Sequence, residues 1–305
     1  MTRWPREMLV NVAVAQVWTS PASPRDIDAP LLLSPADIKG WLASMTLEQR
    51  LMLHDDDLVQ TQLLYGTPVI VLEEQGEWAK VAIPSQPSSK DQRGYPGWLP
   101  KRQLSPADPQ SAQTEKTAVV RVPTASLFDE QRTERMELSF LTRLPLLQEE
   151  GEWAKVATPH GPLFLRRDQI KVESGGQRPA VRGEQLVETG KLFLGLPYLW
   201  SGTSAYGYDC SGFMYSLHRF YGLTIPRDAS NQATAGQLVE TAQLKPGDLL
   251  FFAHEQGTGR VHHVAMYAGD GKILHSPKTG KSIEIIPLAG FEYEQEHCLS
   301  RRYWG

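Results

Sequence analysis

A cysteine at the start of a helix and histidines on a hairpin are the residues in this chain best suited to acyl chemistry. There are two cysteines, Cys210 and Cys298, and eight histidines. Cys210 stands in Tyr208-Asp209-Cys210-Ser211-Gly212-Phe213, and Met214, Leu217 and Phe220 follow at helical spacing. Asp209 reads as a helix cap, which puts Cys210 in the first turn. Unpaired N–H groups and the helix dipole favour an anion there, so a lowered thiol pKa and a nucleophilic thiolate are expected. An isolated cysteine among apolar residues is also a common buried structural thiol.

The histidines favour chemistry. His263-Val264-Ala265-Met266-Tyr267 alternates like a strand, Gly269-Asp270-Gly271 supplies a turn, and Lys272–His275 returns. His263 and His275 are equidistant from Gly269, so a hairpin centred there sets them directly opposite, in hydrogen-bonding reach. One can then act as base to Cys210 while the other fixes its tautomer. His262 faces the other side of the strand, His254 reads as a solvated loop residue, and His218 as a packing or surface residue. His262, His263 and His275 match no metal-ligand spacing, so no metal and no cofactor are expected. Cys298 reads as a small buried apolar residue. A Cys210–Cys298 bridge would disable the nucleophile.

The elements that must hold this set lie in the last third of a longer, repetitive chain. Glu73–Ala82, containing Gly76-Glu77-Trp78-Ala79-Lys80-Val81, returns as Glu149–Ala157. Trp98–Leu104 returns as Phe164–Ile170, but the offset has fallen from 75 to 66. The first copy therefore carries about nine extra residues, placed in the Pro-, Ser- and Lys-rich stretch Ser85–Gly97, which reads as an exposed excursion. Each copy reads as short strands and turns in a small barrel. Ser34–Leu53 reads as one helix capped by Ser34, and Met8–Val17 as a first strand. Gln185–Phe193 reads as a helix, and Ser105–Ala118 and Ser174–Arg178 as polar linkers. The expected domains are 1–105, 106–175 and 176–305, giving an α+β protein.

Composition narrows the partners. Lys and Arg number 31 against 35 Asp and Glu, a net charge of −4 without the basic face of a nucleic-acid binder. No apolar run approaches a membrane span, and Gly 25 with Pro 22 suits turn-rich barrels. Arg3, Arg6 and the run Met8–Val17 imitate an export signal only weakly, so a cytoplasmic protein is expected.

Together these segments resemble the NlpC-type cysteine peptidases, a papain-like family that cleaves bacterial cell-wall peptides. The matching pieces are Pro197-Tyr198-x-Trp200-x-Gly202, Asp209–Phe213, Pro226–Ser230, Pro246–Phe252 and His263–Tyr267. The "acidic turn, Gly-x-Trp-x-Lys-Val, Gly-Trp-Leu" pattern resembles bacterial SH3-like domains. The whole arrangement is similar to the γ-D-glutamyl-L-diamino-acid endopeptidases of that family. The resemblance implies a papain-like domain after two SH3-like barrels, with Cys210 as nucleophile, His263 as base and His275 as its orienter. It implies a murein-derived tri- or tetrapeptide substrate with a free N-terminal L-Ala, cleaved to release L-Ala-D-Glu. Tyr198 would lie near the oxyanion; Tyr95, Asp209 and Ser211 would hold the substrate amine. Arg227, Asp228 and Ser230 would line the pocket for the D-glutamyl carboxylate. Gln60 stands where relatives tend to carry an acid, so amine selection rests on an uncharged group or on Asp57. Two other readings share these residues: a wall-binding protein with an inert third domain, and an acyl transferase of the same fold.

Overall fold

The computed structural model describes residues 6–106, 114–175 and 180–305. Two compact units emerge: one holds the described residues up to 85, 96–175 and 204–206, and the other holds 86–95, 180–203 and 207–305.

The first unit contains the repeat. Its first sheet runs Val59–Leu64, Val14–Trp18, Tyr95–Pro100, Trp78–Ile83, Pro68–Gln75, Arg6–Val10, Leu104–Ser105. The second runs Glu134–Ser139, Thr124–Phe128, Gly161–Arg166, Trp153–Thr158, Arg143–Glu150, Lys116–Val120, Ile170–Ser174, the same order strand for strand. Even the bulges recur, between Val71 and Glu73 and between Leu146 and Gln148. Alternation explains why the copies agree: in Trp78–Ile83 and Trp153–Thr158 the same positions turn inward, burying Ala79, Val81 and Ala154, Val156 completely or nearly so.

Two local expectations fail here for identifiable reasons. Met8–Val17 is two strands, Arg6–Val10 and Val14–Trp18, because the chain bends at Val12 and Ala13, just after the Asn11 N–H bonds Gln103 O in line with the Val10–Leu104 pair. Ser34–Leu53 is two helices, Ile38–Ser44 and Leu47–Asp55, separated by extended Met45. Asp37 rather than Ser34 caps the first, and a reciprocal Thr46–Gln49 capping box starts the second. The stretch read as the linker Ser105–Ala118 runs into the strand Lys116–Val120; residues 107–113 and 176–178 of the two linkers lie outside the described residues.

The second unit carries a six-stranded sheet in the order Gln237–Val239, His297–Arg302, Leu249–Ala253, Val261–Gly269, Lys272–His275, Glu284–Pro287. The helix Cys210–Phe220 packs on its central strand Val261–Gly269. Nearly every residue of that helix is buried, with Phe213 meeting Phe193 and Tyr208 edge-on or tilted. Gly212 is dictated by close approach: a Cβ there would lie 2.1 Å from Gly202 O. The helix can seat its first turn against the Gly202 loop only with glycine at that position.

His218 on this helix is fully buried, its Nδ1 donating to Met214 O at 2.7 Å, and burial lowers its pKa to about 4. The unfolded chain therefore takes up a proton below pH 6.5 that the folded chain refuses down to about pH 4. Stability is full above pH 6.5 and falls as pH drops through this window. His218→Gln is expected to shrink the loss between pH 7 and pH 5 by about 2 kcal/mol. Urea unfolding of both proteins at the two pH values checks this, and an unchanged difference refutes it. His275, also lowered to about 4, keeps the remaining slope alive.

Candidate active site

Cys210 is the first residue of its helix, and Asp209 caps it by accepting the Gly212 N–H at 2.6 Å. The thiol is buried, 7% exposed, and interacts with the backbone of Val264, the neighbour of His263. The helix start alone suggests a lowered thiol pKa, but the opposite holds in the resting site. Burial first, and the Asp209 carboxylate second, push the thiol up to about 12, outweighing Arg227 and the Val264 and Ser211 backbone. His263 is driven well below its ordinary value, by burial and then by His275. The resting couple is a neutral thiol beside a neutral imidazole.

The hairpin register differs from the symmetric expectation. Met266 faces Leu274 and Tyr267 faces Ile273, after which a bulge intervenes before Gly269 pairs with Lys272. In that register Ala265, not His263, falls opposite His275. The displacement is two residues, so both histidines stay on one face, and diagonal neighbours remain within reach of long side chains. His263 Nε2 lies 3.0 Å from His275 Nδ1, both rings buried. With Nε2 engaged by His275, Nδ1 is the ring nitrogen of His263 left for a second partner.

Sequence reasoning missed the next group along. Glu284 pairs with His275 in the sheet register, and its Oε1 lies 3.4 Å from His275 Nε2 without making a hydrogen bond. The signal was a glutamate on the following strand, legible only once that strand's register is known.

Beside the thiol, Tyr198 is buried and its hydroxyl is held protonated, by burial first and then by Cys210 and Asp209. It is therefore an O–H donor throughout the ordinary pH range. Asp209 and Arg227 form a buried bidentate pair, Arg227 Nη2 to Oδ2 at 2.5 Å and Nη1 to Oδ1 at 3.1 Å. Arg227 Nη1 also donates to Ser211 Oγ at 2.9 Å, and Ser211 Oγ donates to Asp209 Oδ1 at 3.1 Å. The guanidinium expected to meet a substrate carboxylate is thus already matched by Asp209.

Asp228 is bound instead by Tyr95, whose hydroxyl lies 3.1 and 3.2 Å from the two carboxylate oxygens. The stretch read as an exposed excursion brings Tyr95 here. Residues 86–95 fold into the unit that contains Cys210, with Pro87 O accepting the Arg227 N–H and Ser89 bonded to Asn231. Tyr95 is 2% exposed, with Lys90 Nζ donating to its hydroxyl at 2.6 Å and covering its ring. Ser230 is exposed on the four-residue helix Ala229–Gln232. Gln60 belongs to the other unit, where its amide donates to Thr19 Oγ1 at 2.7 Å and Asp57 Oδ1 at 3.3 Å. Cys298 is a half-buried free thiol donating to Phe251 O at 3.3 Å, more polar in its contacts than the apolar filler expected.

A thiol at the start of a buried helix, on a sheet that carries two hydrogen-bonded imidazoles, is a set of groups suited to a cysteine hydrolase. The chain belongs to the NlpC/P60 family, whose pattern matches residues 195–302. Residues 54–104 match a bacterial dipeptidyl-peptidase SH3 domain, and residues 120–172 match the second SH3 domain of the YKFC type. It is a cysteine peptidase with two SH3-like barrels ahead of the catalytic domain. The chain is 49% identical to the γ-D-glutamyl-L-lysine dipeptidyl-peptidase of Bacillus subtilis, across 95% of this chain and 96% of that one. It is 42% identical to the Bacillus cereus protein of that name, across 96% and 90%. The crystal structure of an NlpC/P60 family protein from Bacillus cereus superposes with a TM-score of 0.94, at 41% identity and covering 98% of this chain and all of the other.

Proposed function

We propose that this peptidase hydrolyses the γ-D-glutamyl–L-diamino acid bond of small wall-derived peptides with a free N-terminal L-Ala, acting in the cytoplasm during murein recycling. One observation carries the catalytic part: the Cys210 helix lies on the strand that presents His263, itself tied to His275 at 3.0 Å. The relatives' names support the bond cleaved.

The thiol of Cys210 attacks the glutamyl carbonyl as its proton passes to His263 Nδ1. The Tyr198 hydroxyl and the helix-terminal N–H groups face the negative charge that develops on the carbonyl oxygen. His263 returns the proton to the departing diamino-acid amine. Water then cleaves the thioester and releases L-Ala-D-Glu. His275 holds the base in its productive orientation.

The substrate ammonium suits the Tyr95–Asp228–Asp209 cluster. Asp228 is the carboxylate there whose charge is not closed off by a bidentate guanidinium, with Lys90 Nζ 3.9 Å from it. Ser211 and Ser230 contribute hydrogen bonds rather than charge. Mass spectrometry of L-Ala-γ-D-Glu-L-Lys and its N-acetylated form tests the reading. Cleavage of the free peptide at a kcat/KM at least ~10²-fold above the blocked one is expected, since one buried ion pair is worth about 3 kcal/mol. Equal turnover of both removes the amine requirement, and turnover of neither removes the substrate class. Retention on intact sacculi would favour the wall-binding alternative.

A further inference from the structure

On the far side of the strand from the catalytic pair, three residues that the peptidase reaction does not use converge. His254, His262 and Glu296 each place a ligand atom within 4.8 Å of the others. The two imidazoles stack with centroids 4.1 Å apart and planes 16° apart, and His262 Nε2 lies 2.7 Å from Glu296 Oε2. Tyr293 meets the His262 ring edge-on at 4.8 Å, closing one side.

We propose that these residues form a second site, for a late first-row divalent cation with zinc as the principal ligand. Two imidazoles and one carboxylate form the N₂O donor set that zinc accepts, with water in the fourth position. Bonds of about 2.0–2.2 Å place tetrahedral ligand atoms roughly 3.2–3.6 Å apart, between the 2.7 Å contact and the 4.8 Å limit seen here. Small side-chain rotations suffice, and exposed His254 and half-buried Glu296 are free to make them. Two imidazoles argue against calcium or magnesium, which take oxygen. The absence of a thiolate argues against a copper(I) site.

The loop after His254 fits this purpose. Glu255 and Gln256 are both left-handed, with φ of 56°, an uncommon and costly conformation for residues other than glycine. Two backbone bonds close the loop, His254 N–H to Arg260 O at 3.1 Å and Gly259 N–H to His254 O at 2.8 Å. The strained turn lays His254 over His262. Coordination replaces the proton shared by His262 and Glu296 with the ion and clamps the loop to the strand, one residue from His263. No electron transfer is involved.

The test uses the full chain carrying Cys210→Ala, so that the catalytic thiol cannot bind the metal. Calorimetric titration with Zn²⁺ is expected to show one site per chain and a rise in unfolding temperature. Adding His254→Gln or Glu296→Gln should weaken binding at least 10-fold and abolish the thermal shift. With Co²⁺ in place of Zn²⁺, the Cys210→Ala chain should give an intense tetrahedral visible spectrum. Peptidase activity of the single His254→Gln variant in metal-free buffer should equal wild type. No saturable binding in the Cys210→Ala chain, or unchanged binding in both ligand variants, overturns the site.

Discussion

Cys210→Ala is expected to lower kcat for a susceptible peptide by at least ~10⁴-fold, the scale on which removal of a covalent nucleophile is felt. The fold should persist. The side chain is buried but small, and losing its sulfur exposes no ion and leaves the Asp209–Arg227 hydrogen bonds in place. Cys298→Ala is the control: that thiol's hydrogen bonds go to backbone groups, Phe251 O at 3.3 Å among them, and its loss should change kcat less than two-fold. Mass spectrometry of the peptide products with both variants, beside their circular dichroism, separates chemistry from folding. Turnover by the Cys210→Ala chain at a tenth of wild type or more would remove the thiol from the mechanism.

The neutral resting couple shapes how that chemistry starts. A thiol pushed up to about 12 and an imidazole held uncharged store no thiolate for adventitious oxidants or alkylating agents. In the proposed reaction, reactivity then depends on a carbonyl arriving where Tyr198 and the helix N–H groups would meet the forming oxyanion. Charge is created only as it is stabilised, which favours the transition state over the resting site.

The residues that could be read without a structure were those whose partners are close in sequence or repeated. The Glu-Trp-Ala-Lys-Val string returned almost unchanged, so the two barrels and the nine-residue difference between them were visible before any strand was placed. The Asp209 cap was visible because a cap lies within three residues of the N–H it accepts. What stayed hidden depends on long-range register. A turn lying beyond Gly269, less the one-residue bulge between Tyr267 and Gly269, moved the pairing by two residues in all, and only that even shift kept His263 and His275 on one face. Polar composition made 86–95 look like a free excursion, whereas its bonds go to residues 227–231, about 140 positions away. Shorter but still non-local separations hid Asp209–Arg227, 18 positions apart, and the meeting of His254 and His262 with Glu296, 34 positions from His262. No local pattern announces such pairings.

The Asp209–Arg227 pair should dominate the stability of the catalytic unit. Both side chains are nearly excluded from water, at 8% and 2% exposure, and removing one partner leaves the other charge buried alone. Such losses cost about 3–5 kcal/mol. Asp209→Asn keeps an oxygen that can cap the Gly212 N–H, so it isolates the charge from the cap, which contributes only about 1 kcal/mol. Asp209→Ala removes both and should be lower still. Pairing Asp209→Asn with Arg227→Met should recover much of the loss, because two uncharged groups leave no uncompensated ion. Urea unfolding of the four chains, followed by near-ultraviolet circular dichroism, yields the coupling energy. A coupling above about 2 kcal/mol is expected; additivity within ~0.5 kcal/mol would mean water or another group already compensates the guanidinium. Activity should not recover with stability in the double variant. The methionine cannot hold Ser211 Oγ, and Asp209 also shapes the charge beside Tyr95, so folding and substrate binding part company at this one pair.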